Sequence, residues 1–99
     1  MERLATRVNS ADSAFADNNA ANLALIEQLQ ERLATARVGG GGKYEERHRG
    51  RGKYLARERI ERIIDPGSAF LELSTLAGFD LYDSRAHSAG LVTGIGIVH

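Results

Sequence analysis

The stretch of this sequence that is richest in chemically active side chains is short and basic. Residues 47–53 read RHRGRGK, in which five potential cations are interrupted by two glycines. Guanidinium groups bind phosphate oxygens through paired hydrogen bonds, and glycines leave backbone amides open to an anion. The glycine-spaced cations Arg51 and Lys53 are therefore the candidate residues for contact with a phosphate group.

Two other interpretations of this basic stretch stay open. Tyr44 and Tyr54 flank it and could stack on bases, which together with the cations is typical of RNA binding. The simpler interpretation is a solvated turn between helices, in which the arginines pair with carboxylates of the same chain and bind no ligand. Those carboxylates are Glu45, Glu46, Glu58 and Glu61.

The sequence contains no recognisable catalytic or metal-binding set. It has no cysteine, and His48, His87 and His99 do not follow the spacing of zinc ligands. His48 is the one histidine of the basic stretch, and no nucleophile or carboxylate partner stands at a defined position beside it. The glycine run before Lys43 is not a P-loop, since a tyrosine follows where a magnesium-binding hydroxyl belongs. We assign no catalytic residue and no metal site.

The charges argue against two broad classes of partner. The 13 basic and 13 acidic residues cancel, so the chain as a whole has no attraction to nucleic acid or to a membrane surface. Positive charge is concentrated in residues 43–65, where eight Lys/Arg face five Asp/Glu. No apolar run approaches the roughly 20 residues that span a bilayer, and Glu2 does not fit a secretory leader. We expect a cytoplasmic protein that binds neither nucleic acid nor membranes.

A long amphipathic helix is predicted before the basic stretch. From Ser10, its predicted N-cap, to Val38 the sequence contains no proline or glycine, and its larger apolar residues recur at helical spacing. The four glycines 39–42 end the helix because they lose too much backbone entropy to stay helical. We predict residues 1–38 as one domain whose apolar stripe needs a partner surface. The stripe consists of Phe15, Leu23, Ile26, Leu29 and Leu33.

Two short helices are predicted on either side of the basic loop, at residues 43–49 and 55–64. In the second, the apolar residues lie on one side and the charged residues face solvent, Arg57 among them. Glu58 and Arg62 stand at i and i+4 in the order that favours an ion pair.

Strands are predicted after these helices. The sequence DPGS at residues 65–68 predicts a turn with glycine at the position that requires a positive φ. Strands follow at residues 70–73 and 91–98, the second with Gly94 and Gly96 on one face, where another segment could pack closely. Helices followed by strands favour an α/β class, α+β at the level of this chain. Because the last strand has no partner after it, we expect the opening segment of a larger protein.

An ordered series of motifs resembles one enzyme family. The motifs are RGK, RERI, DPGS, FLELSTLAG, LYD and VTGIG. In this order they resemble the start of the carboxyltransferase (β) subunit of biotin-dependent acyl-CoA carboxylases, and they are most similar to the 3-methylcrotonyl-CoA carboxylase branch. The similarity covers about residues 20–98, including the leading helix and the glycine run.

The resemblance implies a crotonase-like β-β-α superhelix, whose N-terminal domain begins with residues 39–99. It implies an enzyme that transfers a carboxyl group from carboxybiotin to an acyl-CoA. Biotin is carried by a partner α subunit and is not attached here; other β subunits are further partners. Because the family's catalytic amides come from later residues, the 99 residues alone are expected to be inactive. Arg51 and Lys53 would contact the phosphates of CoA.

The resemblance implies the cytoplasm of a bacterium or the mitochondrion of a eukaryote. Two functions of other classes stay open beside it. One is a small helical adaptor that binds RNA or another acidic partner through residues 43–62. The other is a module that self-associates through residues 1–38.

Overall fold

The computed structural model describes residues 1–83 and 85–99. Within them, three helices are followed by a strand, a short 3-10 turn and a second strand. These are α1 (Ser13–Val38), α2 (Gly42–Arg49), α3 (Ala56–Ile63), β1 (Leu71–Leu73), the turn His87–Gly90 and β2 (Thr93–Ile95). The chain divides into two compact units, residues 1–31 and 32–99, and the division falls inside α1. The boundary predicted after residue 38 coincides with the end of α1 and, as a domain boundary, stays a prediction.

The helix α1 begins later than predicted because Asp12, not Ser10, is its N-cap. The Asp12 carbonyl oxygen accepts a hydrogen bond from the Ala16 N–H, and its Oδ1 accepts one from the Ala14 N–H, both at 3.2 Å. The preceding turn is held by Asn9, whose Oδ1 accepts the Ala11 N–H at 3.1 Å. Asparagine and aspartate side chains compete with helical hydrogen bonding in this way, so the chain turns before it becomes helical.

In the first unit, the apolar stripe of α1 is uncovered. All described residues from 1 to 31 are exposed, including the four stripe residues that belong to this unit. Their side chains Phe15, Leu23, Ile26 and Leu29 are between 41% and 57% exposed. None of the described helices combines the length and hydropathy that a bilayer crossing requires.

The second unit holds the small core. Ala36, on the last turns of α1, is 1% exposed and is the one buried apolar residue among those described. Leu33, Ile60 and Ile64 are half-buried and line a cleft of about 490 Å³ together with Phe70. The second unit therefore buries few of its apolar side chains completely.

The two strands form an antiparallel sheet in which Leu71 pairs with Ile95, Glu72 with Gly94 and Leu73 with Thr93. Leu71 and Ile95, on one face, are 61% and 63% exposed. The other face carries Glu72 and Gly94, because side chains alternate along a strand. The second strand is shorter than predicted because its partner β1 has only three residues to pair with.

The glycine face of the sheet packs closely, as predicted. A Cβ atom on Gly94 would lie against the Phe70 ring and 2.5 Å from the Leu71 carbonyl oxygen. A Cβ atom on Gly96 would lie 2.7 Å from Ile64 Cγ2. Both distances are too short for a real contact, so only glycine fits at these two positions without rearrangement.

The predicted DPGS turn is confirmed. Gly67 has a φ of 77°, and the Ser68 N–H donates to the Asp65 carbonyl oxygen at 3.0 Å. The turn is tied to the chain beyond β2, because the Asp65 N–H donates to the Ile97 carbonyl oxygen at 2.8 Å. Helices followed by an antiparallel pair agree with the coarser part of the predicted fold class, and the complete superhelix stays a prediction.

Candidate functional site

Arg51 and Lys53 lie on the basic loop, residues 50–54, which joins α2 to α3. Both are exposed, and within the described part of the chain their side chains have no ion-pair or hydrogen-bond partner. Two backbone bonds make the turn tight: the Arg51 N–H donates to the His48 carbonyl oxygen at 3.2 Å and the Gly52 N–H to that of Arg49 at 2.8 Å. The loop therefore presents two unpaired cations on an ordered backbone.

Contacts between the last turn of α2 and the first turn of α3 close the base of this loop. The Arg49 guanidinium lies 2.7 Å from a Glu58 carboxylate oxygen. His48 Nε2 lies 3.0 Å from the Tyr54 carbonyl oxygen. Arg49 also approaches Glu45 at 3.8 Å, so it makes the pairing with carboxylates of the same chain that the solvated-turn interpretation predicts.

Glu58 caps the helix that follows the loop. Its Oε2 accepts the Leu55 N–H at 2.8 Å, which satisfies one of the free amides at the start of α3. This hydrogen bond, and after it the contact with Arg49, hold the pKa of the Glu58 carboxyl below its ordinary value of 4.5. Glu58 is therefore ionised at neutral pH, the state that favours both contacts.

Arg62 does not form the predicted ion pair with Glu58. Its guanidinium carbon lies 3.9 Å from the centre of the Tyr54 ring, a cation–π contact that also orders the end of the basic loop. One face of Tyr54 is thus occupied by the chain's own arginine. The base-stacking interpretation loses part of its support, since that ring face is unavailable to a nucleotide.

Arg57, predicted to face solvent, instead connects three segments of the second unit. Its guanidinium lies 2.5 Å from Glu72 Oε1 on β1, 3.2 Å from the Arg37 carbonyl oxygen at the end of α1, and 3.4 Å from Ser88 Oγ. The sequence did contain a signal that Arg57 faces inward. Arg57 precedes Ile60 by three residues and Ile64 by seven, a helical spacing that places it on the apolar side of α3.

A second cleft, of about 570 Å³, opens between the glycine run, α3 and the turn at His87–Gly90. Ser88, 7% exposed, lines it and donates from Oγ to the Thr75 carbonyl oxygen at 3.0 Å. His48 lines the same cleft, whereas Arg51 and Lys53 do not. The structure therefore does not bring the two predicted cations into an enclosed pocket, and a ligand would meet them at the surface.

The other histidines have structural surroundings. The His87 ring lies against Phe79, with ring centres 6.1 Å apart, and His99 Nε2 lies 2.8 Å from Asp65 Oδ2. Among the residues the structure describes, no three His, Asp or Glu side chains are grouped so that they could hold a metal ion.

Comparison with known proteins gives the chain a family. Residues 47–99 match the model of the carboxyl transferase domain, a match that begins at the basic stretch and includes α3 and both strands. The matched region is more than half of the chain.

Named relatives agree with this match. The chain is 44% identical over 92 residues to the mitochondrial methylcrotonoyl-CoA carboxylase beta chain of Arabidopsis thaliana, covering 93% of this chain and 16% of that protein. It is 47% identical over 74 residues to the biotin-dependent 3-methylcrotonyl-coenzyme A carboxylase beta1 subunit of Mycobacterium tuberculosis, covering 75% of this chain and 14% of that subunit.

A solved structure is similar as well. The beta subunit of geranyl-CoA carboxylase from P. aeruginosa superimposes with a TM-score of 0.62 at 31% identity, covering 96% of this chain and 18% of that chain. The 99 residues thus span less than a fifth of the length of each of these relatives. The chain belongs to the carboxyl transferase domain family and is related to the beta subunits of biotin-dependent acyl-CoA carboxylases.

Proposed function

We propose that these residues are the N-terminal part of a carboxyltransferase subunit that transfers a carboxyl group from carboxybiotin to an acyl-CoA of the 3-methylcrotonyl-CoA type. The observation that carries this proposal is the identity to the Arabidopsis beta chain over 93% of the chain. Which acyl group the enzyme accepts does not follow from the family alone, because the similar P. aeruginosa beta subunit is named for geranyl-CoA.

The described residues supply structure and substrate contact in this proposal, and none acts as a catalytic group. At the clefts, Arg57 is bonded to Glu72 and Ser88 to the Thr75 carbonyl oxygen, while two buried nitrogens, Arg57 Nε and His87 Nδ1, have no partner among the described residues. In this proposal biotin is carried by the partner α subunit, and the amides that stabilise negative charge during transfer belong to other parts of the complete subunit.

The uncovered stripe of α1 fits a scaffold role. Its four residues in the first unit remain 41% to 57% exposed, which is costly for side chains of this size unless other polypeptide covers them. In the complete enzyme that polypeptide is the rest of the crotonase-like superhelix or another β subunit. The enzyme would work in the cytoplasm of a bacterium or the mitochondrion of a eukaryote.

Arg51 and Lys53 are proposed to contact phosphate groups of the acyl-CoA. Support comes from their exposure, their lack of carboxylate partners among the described residues, and the ordered turn that carries them. Cations that are not already paired within the protein retain their charge for a ligand, and charge-assisted contacts to phosphate are among the stronger hydrogen bonds.

Charge reversal in the complete subunit, assembled with its biotin-carrying partner, tests this contact. Arg51→Glu combined with Lys53→Glu should raise the KM for acyl-CoA roughly ten-fold with little change in kcat, because two attractive contacts become repulsive. The control Lys43→Glu with Arg59→Glu makes the same net change at exposed positions outside the loop. An unchanged KM in the loop variant, or an equal rise in both, would remove Arg51 and Lys53 from the substrate site.

The RNA-binding adaptor is the competing function, and it predicts a different result. The 99-residue chain alone would bind RNA, and its affinity would fall steeply as salt rises. Among the described residues no contact favours it, since Arg49 is paired with Glu58 and Arg62 covers a face of Tyr54.

A further inference from the structure

The basic loop is short, glycine-containing and yet closed at its base. Gly52 adopts a φ of 71°, so the loop includes a left-handed residue that glycine tolerates best. A loop with two glycines loses much conformational entropy when a ligand fixes it, and this cost weakens binding. Contacts that fix the loop before the ligand arrives remove that cost.

One carboxylate makes the two contacts best placed to do so. Glu58 accepts the Leu55 N–H through Oε2 at 2.8 Å and lies 2.7 Å from Arg49 through Oε1. The first contact fixes the start of α3, where the loop ends, and the second fixes the end of α2, where the loop begins. Glu58 thus holds both ends of the segment that carries Arg51 and Lys53.

The pairing also separates the roles of the nearby charges. Arg49 is neutralised by Glu58, and the Glu58 charge is in turn offset by Arg49 and the Leu55 amide. Because it is paired, Arg49 competes only weakly with the loop cations for an anionic ligand. For the same reason, Glu58 repels that ligand only weakly. Arg51 and Lys53, which have no carboxylate partner among the described residues, keep their charge for such a ligand.

We propose that Glu58 is a positioning residue for the phosphate-bearing substrate: it sets the basic loop in its binding geometry and makes no contact with the ligand itself. This inference rests on the proposed function, in which Arg51 and Lys53 contact acyl-CoA. It predicts that loss of the Glu58 charge weakens the binding of phosphate-bearing substrates and leaves the chemical step unchanged.

The test is Glu58→Gln in the complete, assembled enzyme, with Glu46→Gln as the matched control. Glutamine keeps the size of the side chain and an acceptor for the Leu55 N–H, and it loses the ion pair. Glu46 is exposed on α2 and its side chain has no partner among the described residues. Glu58→Gln should raise the KM for acyl-CoA roughly two- to five-fold with kcat unchanged, as expected for a partly exposed ion pair.

A phosphate-free probe distinguishes positioning from general damage. With the same acyl group on pantetheine, which has no phosphate, Glu58→Gln and the wild type should have equal KM values. Equal rises for both substrates, or a fall in kcat, would mean that Glu58 serves stability alone and would overturn the proposal.

Arg49→Gln supplies a second variant that breaks the same ion pair without touching the α3 cap. It should reproduce the effect on acyl-CoA, and the double variant should add nothing further, since both changes remove one interaction. If charge reversal of Arg51 and Lys53 raises the KM for acyl-CoA but neither Glu58→Gln nor Arg49→Gln does, the positioning role fails and the substrate site stands. If the reversal itself has no effect, the proposed site fails first.

Discussion

At the scale of single residues, Glu58 shows how one side chain links helix formation to loop geometry. A glutamate at the third position of a helix commonly accepts a backbone N–H at its start, and this one accepts the Leu55 N–H while it pairs with Arg49. The ion pair requires the ionised carboxyl, and the hydrogen bond from the Leu55 N–H is stronger to a carboxylate than to a neutral acceptor. Their combined effect is a pKa below the ordinary value of 4.5.

The lowered pKa of Glu58 gives a pH dependence whose sign is fixed. A carboxyl that is more acidic in the folded state contributes stability that is complete above the unfolded pKa and is lost as pH falls through the folded pKa. Hydrogen exchange in residues 50–60 should therefore be faster in Glu58→Gln than in wild type at pH 6, and the ratio should approach one well below pH 4.5. Mass spectrometry of the complete subunit measures this ratio. Because the variant and the wild type are compared at the same pH, the pH dependence of intrinsic amide exchange cancels. A ratio that grows on acidification would contradict the assigned interactions.

At the scale of elements, the sheet depends on two glycines that admit the Phe70 ring and the Ile64 side chain. Where a strand carries alternate glycines, one face has no side chains, and neighbouring groups can approach its backbone. The close approach places Ile64, the residue that follows α3, against Gly96, the residue that follows β2. The Arg57–Glu72 ion pair joins α3, which also carries Glu58, to β1.

Gly94→Ala tests this packing. The added methyl group would overlap the Phe70 ring and the Leu71 carbonyl oxygen, so we expect a destabilisation of about 1–3 kcal/mol. In the complete subunit it should appear as faster hydrogen exchange of the peptides that contain β1 and β2. Gly42→Ala is the control, because a Cβ there meets nothing within 4 Å. Unchanged exchange in Gly94→Ala would show that the ring and the strand are not packed as described.

At the scale of the whole molecule, the 99 residues carry much more apolar surface than they bury. Ala36 and Ser88 are the buried residues among those described, and each strand has only three residues. A two-stranded sheet is marginal in water, and burial on this scale does not offset the conformational entropy lost on folding. We therefore expect the stability of these residues to depend on contacts with other polypeptide.

The 99-residue chain alone should show no sharp unfolding transition in differential scanning calorimetry, and it should carboxylate no acyl-CoA. The complete subunit, measured under the same conditions, should unfold with a cooperative heat-absorption peak. A single cooperative transition of the monomeric 99-residue chain would contradict the dependence on further polypeptide. Sedimentation at several concentrations separates this case from self-association through α1.

Local rules determined much of this chain from sequence. Alternating glycines, the DPGS turn and the helical spacing of Leu29 and Leu33 predict structure because they depend on neighbours within a few residues. The end of α1 at Val38 and the close packing beside Gly94 follow from such patterns. The family follows from the order of motifs along residues 47–99.

Tertiary structure alone decided which charged side chains found partners. Arg57 reaches Glu72, 15 residues away, and Ser88, 31 residues away, contacts that no local spacing encodes. Arg62 had a carboxylate one turn away and lies over Tyr54 instead, because the loop brings the ring within reach. An ion pair or cation–π contact depends on distances set by packing, so the sequence supplied the candidates and the fold selected among them.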